Sequence, residues 1–218
     1  MEDNMPNTFF NNPIIKHASK TAITLTAFAF VGTIMLAYVF DITRAPIAAS
    51  EKEARLALFK QILPENTYDN ELLKETVQIA PNEQLGNLQT TTANIAKLKG
   101  KTAGVILEAI AHDGYSGDIK LLIAIRADGS ISGVRVLAHK ETPGLGDYID
   151  ITHGNWITLF NNESINKTSA AQWQVKKDGG KFDYMVGATI TPRAVVNAVF
   201  KTTQFFEKNK KILFAVDN

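Results

Sequence analysis

The chain has 218 residues, with 23 Lys plus Arg against 22 Asp plus Glu, a net charge of +1 and no cysteine. A near-neutral charge gives no support for a nucleic-acid or anionic-surface partner, and the lack of thiols excludes disulfides, thiolate nucleophiles, iron–sulfur clusters and Cys-based zinc sites within the chain. Any redox chemistry must therefore come from a bound cofactor.

Residues 1–15 carry several asparagines, two prolines and no sustained period, and residues 1–20 are expected to be a cytoplasmic tail. Residues 21–40, TAITLTAFAFVGTIMLAYVF, form a run without a charge. At about 1.5 Å per residue, such a run crosses a hydrocarbon core of roughly 30 Å as one helix. It is too long for the apolar part of a cleaved signal peptide, typically about 7–15 residues. Lys16 and Lys20 precede the run while Asp41 and Arg44 follow it. That asymmetry predicts a single-pass anchor with its N-terminus in the cytoplasm and the rest of the chain outside.

Residues 41–90 read as a helical connector and the start of an outer domain, with a helix over 48–63 closed by Pro64. Residues 91–206 form the main domain, and 207–218 a C-terminal tail. Strand patterns fall at 75–80, 93–98, 103–110, 119–126 and 131–138, the last two joined by the turn Ala127-Asp-Gly-Ser130. Helical patterns return at 156–160 and from Pro192 to about Phe206. The fold class is α+β with a mostly antiparallel sheet, and there is no internal repeat.

Three loops carry chemistry. In Glu141-Thr-Pro-Gly-Leu-Gly-Asp147, Pro143 and Gly144 fit the centre of a type II turn, and a turn alone explains them. The same turn presents backbone N–H groups, the Thr142 hydroxyl and the Leu145 side chain. Lys176-Lys-Asp-Gly-Gly180 is by composition a charged turn. In Asp183-Tyr-Met-Val-Gly-Ala-Thr-Ile-Thr-Pro-Arg193, Thr191 is a good N-cap and Pro192 a good first helical residue, so Thr189 is expected just upstream of a helix mouth. Unpaired N–H groups and the positive end of the helix dipole would stabilise a phosphate on or near Thr189, and Gly187 and Ala188 keep the approach open. Taken alone, this stretch also reads as a turn and a cap without a ligand.

Other chemistry finds little support. His17, His112, His139 and His153 lack paired metal-ligand spacing, Ser116 lacks a nucleophile elbow, and no Gly-x-Gly-x-x-Gly opens a helix. No metal site, hydrolase or NAD site is expected.

Asp183 with Gly187-Ala188-Thr189 resembles the flavinylation signal of subunits that carry FMN through a threonine phosphoester, with an aspartate six residues before the acceptor. Val186 stands where that signal usually has Ser or Thr. Together with Asp113-Gly-Tyr-Ser-Gly117, Glu141 to Asp147, Trp173-Gln-Val-Lys-Lys-Asp-Gly-Gly180 and Thr189-Ile-Thr-Pro-Arg-Ala-Val-Val-Asn-Ala198, it resembles the G subunit of the Rnf electron transport complex, also called Rsx.

The resemblance implies covalent FMN on Thr189, with Gly187, Ala188 and Thr191 beside it. It further implies that Glu141, Thr142, Gly144, Leu145 and Gly146 pack against the isoalloxazine. Lys176 or Lys177 would pair with the phosphate or with a reduced flavin's charge, and Asp183 would be recognised by a flavin transferase. The chain would then be an electron carrier, not independently catalytic, in an inner-membrane complex coupling ferredoxin–NAD chemistry to ion translocation, with its large domain periplasmic. Its partners would be the other membrane subunits. Two alternatives stand beside this reading: the C subunit of the sodium-pumping NADH:quinone oxidoreductase, which shares the signal, and a flavin-free extracytoplasmic sensor or scaffold.

Overall fold

The computed structural model describes residues 13–214. Helix α1 runs unbroken over Pro13–Ile62, with Pro46 inside it. The expected tail over 1–20 is thus helical from residue 13 onward, and residues 1–12 lie outside the described residues. The separate helix expected over 48–63 is the end of this same element. Contacts divide the chain between Ala54 and Arg55. In the first unit the apolar side chains are bare: Phe28, Leu36 and Phe40 are each more than two-thirds exposed. Among the described residues, α1 is the one helix long and apolar enough to cross a membrane, which fits a single-pass membrane protein.

In the second unit, β1 (Thr76–Ile79), β2 (Thr91–Leu98), β3 (Lys101–Ala111), β4 (Ile119–Arg126) and β5 (Ile131–Ala138) form an antiparallel meander in chain order. Tight turns explain the meander. Lys99 and Gly100, at φ 53° and 77°, make the two-residue link from β2 to β3, since successive positive φ values match the strand twist. Between β4 and β5, Gly129 has φ 87°, and Asp128 accepts from both the Ser130 N–H (2.8 Å) and its hydroxyl (2.7 Å).

The sheet is buried on both faces. Ile119, Leu121, Ile123 and Ile125 of β4 point into the larger core with Ala194, Val195, Val196 and Val199, while Leu122 and Ala124 point into a second core with Phe59, Ile62 and Leu63. At about 1.5–3 kcal/mol for each large side chain fully buried, these two layers stabilise the domain. Gly133 lets the second layer close in, because a Cβ there would meet the Ile62 Cα at 2.9 Å.

Helix α2 spans Ile190–Leu213, longer at both ends than its pattern predicts. Thr189, not Thr191, holds the N-cap position, and the Arg193 N–H reaches back to the Thr189 carbonyl (3.4 Å). Thr191 is only 1% exposed and its hydroxyl donates to the Glu141 carboxylate, a contact 50 residues away that outweighs local capping. Pro192 remains in the first turn, where its missing N–H has no intrahelical acceptor anyway. At the far end, buried Leu213 and the Phe206–Phe214 edge contact (5.9 Å) extend the helix through residues expected to be tail.

Candidate functional site

The segment before α2 hangs on aromatic residues. Tyr148, Trp156 and Phe160 pack edge to face, with ring centroids 5.6 and 5.5 Å apart, as aromatic quadrupoles favour. The Trp156 indole N–H donates to the Asp183 carbonyl (2.7 Å), and the Met185 N–H donates to the Tyr148 hydroxyl (3.2 Å). Burial raises the Tyr148 pKa, outweighing the opposing pull of the Met185 bond, so the phenol stays neutral. The Ala188 N–H closes a turn onto the Met185 carbonyl (3.1 Å), and Gly187 at φ 93° then swings the chain into the helix. Few side chains other than glycine adopt that φ.

Thr189 is half-buried at the helix mouth with φ −82° and ψ −26°. A capping side chain normally needs an extended backbone, and Thr189 is helical. Its side chain makes no capping hydrogen bond. The hydroxyl is thereby left out of the helix, beside first-turn N–H groups that have no intrahelical acceptor.

The second wall is the 141–147 loop. The Thr142 carbonyl accepts from the N–H groups of Leu145 (3.1 Å) and Gly146 (3.0 Å), and Gly144 has φ 75°, as the third residue of a type II turn requires. Glu141 starts the loop and is 4% exposed. Its Oε1 accepts from the Ser116 N–H (3.0 Å) and its Oε2 from the Thr191 hydroxyl, so one carboxylate joins the 113–117 loop, the 141–147 loop and α2. Gly114 and Gly146 make room for it, since a Cβ would come within 3.0 and 2.9 Å of its two oxygens.

Together these elements enclose a cavity of about 350 Å³ lined by Tyr115, Glu141, Thr142, Leu145, Gly146, Gly187, Ala188, Thr189, Ile190 and Thr191. Eight of the residues expected from the sequence meet here. Gly144 shapes the turn without lining the cavity. Lys176 and Lys177 are exposed and do not reach it: Lys176 pairs with Asp183, and the neighbouring Asp178 is held by Arg193 through two bonds of 2.6 and 2.7 Å. That pairing holds the Asp178 carboxyl below its ordinary pKa. Tyr115 and Ile190 are lining residues that the sequence patterns did not single out, although the Gly-flanked Asp113 to Gly117 motif pointed to the first. A larger cleft of about 650 Å³ lies between the 81–88 loop, His112 and the middle of α2.

Comparison with known proteins bears on both cavities. The FMN-binding domain family matches residues 114–204, which include every residue of the smaller cavity, and the RnfG N-terminal region matches residues 7–62. Similar proteins include one of Pseudomonas aeruginosa (strain UCBPP-PA14), 44% identical over 90% of this chain and 92% of its own length, and one of Shewanella oneidensis, 40% identical over 94% and 95%. A third, of Aliivibrio fischeri (strain MJ11), is 39% identical over 90% and 94%. All three are named as the G subunit of an ion-translocating oxidoreductase complex. The chain belongs to this G-subunit family. The alternative C-subunit membership is not kept.

The residues present fit FMN. Helix N–H groups offer a seat for a phosphate, a free hydroxyl sits at that seat, and glycine and alanine leave room for a close approach. Exposed Tyr115 and Leu145 supply the apolar surface a flat ring system needs.

Proposed function

We propose that Thr189 carries FMN as a phosphoester and that the chain relays electrons within a membrane complex coupling ferredoxin–NAD redox chemistry to ion translocation. The observation that carries this reading is the Thr189 hydroxyl: it stands at the N-cap of a long helix, inside a cavity of the FMN-binding domain, and is not used for capping. FMN, when bound, supplies reversible one- and two-electron transfer.

The chain's own residues do the rest. The Thr189 oxygen bonds to the flavin-bearing phosphorus of an activated phosphoanhydride donor as that phosphorus's bond to the leaving phosphate breaks, and the threonine proton passes to solvent, so the product has the mass of threonine plus FMN less one water. N–H groups of the first turn of α2 stabilise the phosphate charge. Thr142, Leu145 and Gly146 wall the ring and limit water, while Glu141 fixes those walls. Asp183, exposed and six residues upstream, is the recognition residue for a flavin transferase. Its ion pair with Lys176 holds that lysine outside the residues lining the cavity. The domain lies on the periplasmic side, since Lys16 and Lys20 precede the apolar run and favour a cytoplasmic N-terminus.

The test is intact mass after coexpression with a flavin transferase. The parent gains roughly 438 Da, the mass of FMN less one water, and Thr189→Val gains nothing. Thr191→Ala retains some label; label lost from Thr191→Ala but kept by Thr189→Val overturns the assignment, and an unlabelled parent restores the flavin-free scaffold reading. Protease added outside cells with a permeabilised outer envelope digests the domain while sparing an N-terminal tag; the opposite protection reverses the orientation.

A further inference from the structure

Tyr115 is a large aromatic left 68% exposed on a loop whose backbone is firmly tied. On one side of it, Gly114 is packed so closely that a Cβ would meet the Gly117 carbonyl oxygen at 2.2 Å and the Glu141 Oε1 at 3.0 Å. On the other side, the Ser116 N–H donates to that same Glu141 oxygen (3.0 Å). The fold therefore commits a buried carboxylate to holding this loop, yet leaves the ring it displays in solvent. An aromatic side chain carries about 150–250 Å² of surface, and leaving most of it wet forgoes stabilisation at roughly 25 cal/mol per Å².

The ring also has neighbours of its own kind. Leu145 (46% exposed) and Ile190 (45%) are exposed apolar side chains on the two other segments that line the cavity. Three separately anchored loops thus present uncovered apolar surface around one opening. Isolated exposed apolar residues need no explanation, whereas a cluster around a cavity marks a binding face.

We propose that Tyr115 is the aromatic that covers the flavin ring, opposite the wall formed by Leu145, and that Glu141 is the positioning residue that holds Tyr115 there through the Ser116 N–H. This rests on FMN being attached at Thr189. A planar ring system between an aromatic and an aliphatic wall buries both, and offset aromatic pairs are favoured beyond the area they bury. A tyrosine in such contact also quenches flavin fluorescence, because its ring donates an electron to the excited flavin and recovers it afterwards.

The experiment uses the full-length flavinylated protein in detergent, with FMN per chain measured first by intact mass. Tyr115→Ala, Tyr115→Phe and Tyr115→Trp are each compared at their own measured FMN content, so that fluorescence is read per attached flavin. Fluorescence per attached flavin should rise several-fold in Tyr115→Ala and Tyr115→Phe, whose side chains are poor electron donors, and stay dark in Tyr115→Trp. The reduction potential should shift in Tyr115→Ala and remain parental in Tyr115→Phe, which keeps the stack. A residue that only shapes its loop would give parental fluorescence in Tyr115→Phe. Fully labelled Tyr115→Ala and Tyr115→Phe with parental fluorescence overturn the proposal, and assign the exposed ring to a protein partner instead. A parent without attached FMN fails at the mass measurement, so loss of the underlying reading is seen separately. Should Tyr115→Ala fold poorly, the contrast between Tyr115→Phe and Tyr115→Trp decides alone.

Discussion

Two of the cavities that open along α2 differ in kind, and the larger of the pair is the poorer site. The cleft of about 650 Å³ is lined by side chains of both charges, including Glu83, Asp113, His112 and Lys201, and two of its polar side chains, His112 and Asn87, are bonded to the protein itself. The Asn87 amide, for example, donates to the carbonyls of Ala80 (3.3 Å) and Gln89 (2.8 Å) and accepts from the Asn82 N–H (2.9 Å). The cavity of about 350 Å³ is different: its helix N–H groups and the Thr189 hydroxyl are free of capping, and its mouth is ringed by bare apolar side chains. Unengaged donors beside uncovered apolar surface mark a ligand site, and volume does not.

The most direct challenge to this contrast is substitution in each cavity. Thr189→Val is expected to abolish covalent FMN, whereas Lys201→Ala and Asn197→Ala in the larger cleft are expected to leave the mass and the flavin spectrum at parental values. Loss of label from the cleft variants, with folding intact by circular dichroism, would move the flavin seat to the larger cavity.

Next in size is the carboxylate tie. Glu141→Ala strands the Ser116 N–H and the buried Thr191 hydroxyl, at about 1–3 kcal/mol for each orphaned donor. In a domain of this size that corresponds to about 2–4 °C in Tm per kcal/mol. Glu141→Gln keeps an acceptor for Ser116 and offers its amide N–H to the Thr191 oxygen, so most of the loss is recovered. If Glu141→Gln melts as low as Glu141→Ala, the carboxylate's charge, rather than its bridging geometry, is what matters.

Much of this arrangement was legible from residue patterns, for local reasons. β4 and β5 alternate cleanly on either side of an Asp-Gly turn, so the expected bounds coincide with the strands. Gly144 needed a positive φ for a turn chemistry that is written in adjacent residues. What escaped was non-local. Thr191 looks like a cap until Glu141, 50 residues earlier, claims its hydroxyl. Lys176 and Lys177 look like phosphate ligands until Asp183 engages the nearer lysine and Arg193 draws Asp178 away. The pattern after Asp41 hides that α1 continues through Pro46, because a charged boundary says nothing about where a helix stops. Tyr115 is exposed, and exposure has no signature in a turn motif.

The wall of the smaller cavity can be probed more finely at Gly144. A Cβ there meets nothing within 4 Å, so Gly144→Val is penalised by its φ of 75° alone, on the order of 1–3 kcal/mol. The turn is displaced while Thr189 stays in place. Covalent FMN should be retained and the reduction potential should move, since hydrogen bonding and burial set a flavin's electronics. A fully labelled, folded variant that titrates like the parent would remove the 141–147 turn from the flavin's surroundings.

The smallest effect belongs to the larger cleft and concerns His112. Its Nδ1 lies 2.8 Å from the Asp118 carboxylate and its Nε2 lies 2.7 Å from the Gly86 carbonyl, two groups that only accept, so only the doubly protonated ring satisfies both. The Asp118 bond first, and then the Gly86 bond, raise its pKa above the ordinary 6.5, with Asp113 adding to the same direction. A raised folded-state value means that protonation favours the folded chain. The contribution is fully present below 6.5 and fades as the pH climbs through the raised value. The ring is about half exposed, so solvent screening keeps the effect small. Thermal midpoints of the parent should therefore exceed those of His112→Gln at acidic pH and converge with them at alkaline pH. Over the same range the visible spectrum of the flavin should be identical in both proteins, because His112 belongs to the larger cleft and not to the cavity proposed for the flavin. A spectrum that titrates in the parent and not in the variant would show that the two cavities communicate through the 113–115 segment, and the separation drawn between them would fall.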